Sequence, residues 1–201
     1  MKILKKSGKI LSRTGGWLLP PLSGRIDTDT LVYPRRYDIV MRESFVEFYT
    51  AERKLYLEDR ASFIAEARKL PYYRYFMGIP AASVSLRQQY PAEGIDQLFT
   101  RKAERFAILI ESIGNGYDIS KKIELKYHLR GPATGTLSIG NGCHRLAVLR
   151  NRNGRILDAR YFTRTLVLST KLRDNTAVLK NKNLLTDAEL LEIASMVKEA
   201  R

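Results

Sequence analysis

The stretch AERFAILIESIGNGYD (103–118) repeats its apolar residues every third or fourth position, and KIELKYHL (122–129) repeats them every second. A helix stripe recurs with a period of 3.6 residues and a strand face with a period of 2, so such a chain must place both element types around one core. The pattern then changes again. RGPATG (130–135) reads as a turn, TLSIG (136–140) as a second strand, and CHRLAVLRNRNG as a helix stopped by Gly154. RILDARYF (155–162) and RTLVLST (164–170) return to strand. LTDAELLEIASMVKEAR follows as an amphipathic helix, with Thr186 and Glu189 in capping-box spacing. The expectation is an α+β core, a small mixed sheet with helices, over 95–201.

Upstream, residues 26–94 read as a helical extension packed on that core. Phe45, Phe48, Tyr49 and Glu52 mark one helix; Phe63, Ile64, Ala67 and Leu70 mark another that ends before Pro71. PYYRYF sets four aromatics beside Arg74, a composition that fills cores more often than it stacks ligands. GIPAASVSLRQQYPAEG (78–94) reads as loop and boundary. Residues 1–25 form a basic amphipathic arm and a connector: Ile3, Leu4, Ile10 and Leu11 recur at helical spacing, with Lys2, Lys5, Lys6, Lys9 and Arg13 off that face. An arm of this kind suits an anionic membrane surface, and equally a solvated basic tail.

The 201 residues carry 35 basic and 21 acidic side chains, a formal charge of +14 that attracts polyanions: nucleic acid, anionic lipid or phosphorylated small molecules. One cysteine excludes an internal disulfide, and one cysteine with two histidines does not supply a structural zinc site, so no metal ligands are expected from the protein. No apolar run is long enough to span a bilayer. The expected location is cytoplasmic, with peripheral attachment at the inner membrane face through residues 1–13.

The chemistry gathers between strand and helix. Gly140, Asn141 and Gly142 allow a tight turn, and the helix beginning at Cys143 offers backbone N–H groups that have no intrahelical partner. His144 and Arg145 add donors, so Gly140 to Arg145 describes a phosphate cradle. Neither the GxxxxGK[ST] loop nor the third glycine of the dinucleotide fingerprint is present.

The order AERFAILIESIGNGYD, KIELKYHL, GTLSIGNG, CHRLAVL resembles the fold shared by ParB N-terminal domains and sulfiredoxin, and GCHR at 142–145 is similar to the sulfiredoxin box. The resemblance covers roughly residues 95–165. It implies nucleotide phosphates at the box, a nucleophilic role for Cys143, and a phosphate-holding helix residue at Arg105. An acidic sulfiredoxin residue falls on Lys102, and the helix-turn-helix that follows in ParB proteins is not evident. The superfamily also holds small-molecule kinases. The leading expectation is therefore an ATP-dependent phosphotransferase, with Mg²⁺, acting on a small hydroxyl-bearing substrate. Asp96 and Glu104 are the candidate carboxylates for the attacking hydroxyl. A ParB-like nucleic-acid-binding or nuclease module and a sulfiredoxin-like reductase are the alternatives.

Overall fold

The computed structural model describes residues 22–89, 94–168 and 172–199; the arm over 1–13 lies outside them. Strand β2 (Ile123–His128) occupies the middle of a three-stranded sheet, antiparallel to β3 (Leu137–Asn141) and parallel to β5 (Phe162–Val167). Its even alternation reflects the strand's two faces: Ile123 and Leu125 are fully buried, whereas Glu124 and Lys126 are half-exposed. A parallel pair needs a long crossover. Here it runs through β3, helix α8 (Cys143–Asn153) and β4 (Ile156–Asp158). β4 pairs antiparallel with β1 (Arg25–Asp27) in a separate two-stranded sheet.

The chain is mixed α+β, with small sheets and a helical N-terminal region. That region comprises α1 (Asp29–Val32), α2 (Asp38–Ala51), α3 (Arg53–Glu58), α4 (Arg60–Ala67), α5 (Pro71–Gly78) and α6 (Val84–Gln89). Helix α7 (Ile95–Gly114) precedes the sheet, and α9 (Asn175–Asn181) and α10 (Asp187–Glu199) follow it. PYYRYF folds as α5, with Tyr72, Tyr75 and Phe76 in the core and Pro71 at the helix start, where its missing N–H costs nothing. Phe45 of α2 lies parallel to Phe106 of α7 at 5.1 Å and edge-on to Tyr72 at 5.4 Å. Burying each such ring contributes roughly 1.5–3 kcal/mol.

One buried cluster runs from Leu31 through Phe106 and Leu146 to Ile193. The helices of 26–94 share that cluster with the residues that follow: β1 pairs with β4, and α2 lies against α8. The cause is chemical as well as apolar. Arg150, a buried cation of α8, bonds Glu43 of α2, Thr28 Oγ1 at 2.7 Å and Asp29 at 2.9 Å. Two local readings change. Residues 78–94 contain the short helix α6, and RILDARYF is broken by a 3₁₀ turn at Ala159–Tyr161, where the Asp158 carboxylate accepts from Arg160 N at 2.8 Å.

Candidate functional site

The turn into α8 depends on Gly142. Its φ of 91° lies in the left-handed region, and a Cβ there would stand 3.2 Å from Ile123 Cα. Gly140, two residues earlier, leaves room for the side chains of Glu124 and Lys126, which would approach a Cβ to 3.1 and 2.9 Å. Asn141 Oδ1 accepts from Gly142 N at 2.7 Å and holds the bend. Beyond it, Cys143 begins an 11-residue helix whose first N–H groups face outward along the axis.

Beneath the helix start lies a buried polar network from the N-terminal region. Arg36, 3% exposed, donates from Nη2 to Cys143 Sγ at 3.0 Å. The same guanidinium forks onto Asp38 through Nε at 2.9 Å and Nη2 at 3.1 Å. Asp38 also accepts from Arg42 Nη1 at 2.5 Å, and Arg42 Nη2 donates to Tyr75 Oη at 3.0 Å. Burial opposes charging all three groups. It would raise the Asp38 pKa, but Arg42 and then Arg36 outweigh it and hold the carboxyl below its usual range. For both arginines burial is again the largest influence and acts downward; Asp38 and Tyr75 among others reverse it, and both pKa values rise. Two guanidinium ions against one carboxylate leave a net positive charge under the box. Arg42 Nε is buried without a hydrogen-bond partner among the described residues.

The box histidine goes elsewhere. His144 Nε2 lies 3.0 Å from Tyr72 Oη, and its ring meets the Phe106 ring edge-on at 4.6 Å. Burial foremost, then the charges of Arg42 and Lys102, lower its pKa to about 3. Burial likewise raises the Tyr72 phenol to about 12, so a protonated phenol donating to a neutral imidazole satisfies both groups at neutral pH. The His144 ring is thus held between Tyr72 and Phe106 and is neutral at pH 7. Arg145 is also engaged: Nη1 donates to the carbonyls of Lys121 and, at 3.2 Å, Lys122, pinning the start of β2 to α8.

The helix residues expected at the site are not gathered there. The α7 cation whose field reaches His144 is Lys102, and Arg105 is exposed. Asp96 sits on the exposed first turn of α7, held by Tyr73 Oη at 2.9 Å and Arg68 at 3.7 Å. It precedes Phe106, which meets the box, by ten residues, or roughly 15 Å of helix. Glu104 is two positions from Phe106, about 160° around the helix, and so faces away from the box. Neither carboxylate reaches it. The arginines that do, Arg36 and Arg42, escaped the sequence reading because PRRYDIVMRE looks like the solvated start of an amphipathic helix. The one available signal was a lone acid, Asp38, flanked by Arg36 and Arg42 at two- and four-residue spacing.

Among the described residues no group of three or more histidine, cysteine or acidic side chains stands together as a metal site. Clefts lined by Asp27, Tyr33 and Met196, and by Lys180, Leu190 and Ile193, flank α10 rather than the box. No protein-family model, curated protein or solved structure matches this chain.

Proposed function

We propose that the chain is a nucleotide-dependent phosphotransferase that binds ATP phosphates at the start of α8 and passes one to a small hydroxyl-bearing substrate. The observation that carries this reading is the net positive network of Arg36, Asp38 and Arg42 directly beneath a glycine-formed helix N-terminus. Free N–H groups receive phosphate oxygens, and the buried guanidinium charges favour the anion in a site of low dielectric. This role falls to the backbone of Cys143, His144 and Arg145 and to the two arginines below, with the His144 ring serving as packing. Mg²⁺, bound with the nucleotide, neutralises charge on the transferring phosphoryl group. The core fold carrying the box is ParB/sulfiredoxin-like in this reading, and the arm over 1–13 brings the enzyme to the inner face of an anionic membrane.

Incubation with γ-labelled ATP, Mg²⁺ and a panel of hydroxyl metabolites tests it directly. Label should appear on one acceptor class, and absence of both transfer and ATP binding overturns the reading. A second reading is favoured by one contact: Arg36 Nη2 donates to Cys143 Sγ at 3.0 Å, the sulfur on which covalent, sulfiredoxin-like chemistry would run. Cys143→Ser separates the two. Phosphotransfer needs only the backbone at 143 and persists in the Ser variant; chemistry through sulfur is abolished.

A further inference from the structure

With Asp96 and Glu104 remote from the box, the proposed transfer lacks a group to receive the acceptor's proton. We infer that Glu124, on β2, is that group; the inference rests on the phosphotransferase reading. Three successive residues of the β2 start are fixed against three positions of the box. Arg145 holds the carbonyl of Lys122 at 3.2 Å, Gly142 lies against Ile123, and Gly140 lies against Glu124. In the sheet Glu124 is the register partner of Asn141, so its carboxylate stands at the same end of the sheet as the first N–H groups of α8.

The side chain is half-exposed, open to substrate, and oriented. Thr165 Oγ1 donates to Glu124 Oε1 at 2.9 Å, and among the described residues Oε2 has no hydrogen-bond partner. Gly140 leaves room for it and for Lys126 beside it, because a Cβ at that position would meet Lys126 Cε at 2.9 Å and the Glu124 carboxyl carbon at 3.1 Å.

The step balances without another reactant. The acceptor oxygen attacks the γ-phosphorus and forms the new O–P bond, while the bond from γ-phosphorus to the β,γ-bridging oxygen breaks and ADP departs with that electron pair. The acceptor's proton passes to Glu124 Oε2 and then to solvent. Water can stand in for the acceptor, so MgATP alone is a sufficient probe, read as phosphate release.

Glu124→Gln keeps the Thr165 contact and removes the base. Phosphate release should fall 10²- to 10⁴-fold while calorimetric affinity for MgATP stays within about threefold. Glu124→Asp should restore part of the rate. Thr165→Val, which removes only the orienting bond, should lower the rate and leave affinity unchanged. Release by Glu124→Gln within threefold of wild type, or a parallel loss of ATP affinity, overturns the assignment of Glu124 alone. A wild-type protein that binds no ATP overturns the phosphotransferase reading and this inference with it.

Discussion

Replacing Asp38 by Asn tests how the site is held together. The Asp38 side chain is wholly buried and accepts from Arg36 Nε, Arg36 Nη2 and Arg42 Nη1 at 2.9, 3.1 and 2.5 Å. Asparagine preserves the shape, but it removes the negative charge and turns one acceptor oxygen into a donor facing a guanidinium group. Arg36 and Arg42, 3% and 6% exposed, would then be buried cations without a counter-charge. Removing one partner of a buried ion pair costs roughly 3–5 kcal/mol. With a urea dependence of about 2 kcal/mol per molar, the unfolding midpoint at pH 7 should fall by about 1.5–2.5 M. The Asp38 pKa is lowered in the fold, so its contribution is present above the unfolded value of about 3.9 and is lost as pH falls through the folded one. The penalty of Asp38→Asn should therefore shrink in acid. A triple variant, Arg36→Met with Asp38→Leu and Arg42→Met, removes every charge of the network and should recover most of the stability. A midpoint shift for Asp38→Asn under about 0.5 M, less than about 1 kcal/mol, would refute the account of Asp38 as the counter-charge that holds both arginines.

Other outcomes follow from the same geometry. His144 has a folded pKa of about 3 and titrates near 6.5 when unfolded, so the unfolded chain binds the extra proton between those values. Stability should be full above pH 6.5 and fall by about 1.4 kcal/mol per pH unit below it, and His144→Phe should flatten that slope in urea titrations between pH 6.5 and 4.5. Gly142→Ala forces a side chain into the left-handed region and against Ile123, and calorimetric melting should register a loss of about 1–3 kcal/mol. Arg150→Met strands Glu43 and part of Asp29, and a loss of roughly 3 kcal/mol is expected in urea unfolding. Deleting residues 1–13 should abolish flotation with anionic vesicles and leave ATP affinity unchanged. Nucleic-acid affinity that survives the deletion and falls steeply with salt would instead favour the nucleic-acid reading.

The element order was legible wherever apolar spacing was regular. Helix α7 shows a clean stripe through Phe99, Ala103, Phe106 and Ile110, and β2 alternates strictly over Ile123 to Lys126, so local sequence states both. α9 carries no such stripe: Asn175 and Thr176 are buried through polar contacts, Thr176 Oγ1 accepting from Tyr37 N at 2.9 Å, and only the tertiary fold supplies that partner. The site divides along the same line. The glycine turn and helix start at 140–145 are local and were read from spacing. Arg36 reaches Cys143 across 107 residues, and Thr165 reaches Glu124 across 41, so their roles exist only after the chain closes. His144 shows the converse error. A histidine in a basic box looks like a donor until Tyr72 and Phe106 arrive from elsewhere and take its ring.

The pairing of β1 with β4 has a consequence for synthesis. Thr28 bonds the carbonyl of Arg155 across 127 residues, and α2 has no α8 to lie against until that stretch is made. At about 5–20 residues per second the N-terminal helices wait roughly 6–25 s on the ribosome with the face of α2 that α8 later covers still open, and Asp38 matched only by its neighbours. During that interval the nascent chain presents an apolar face flanked by arginines, a suitable ligand for a holdase chaperone. The arrival of residues 143–158 is the event that ends this exposure.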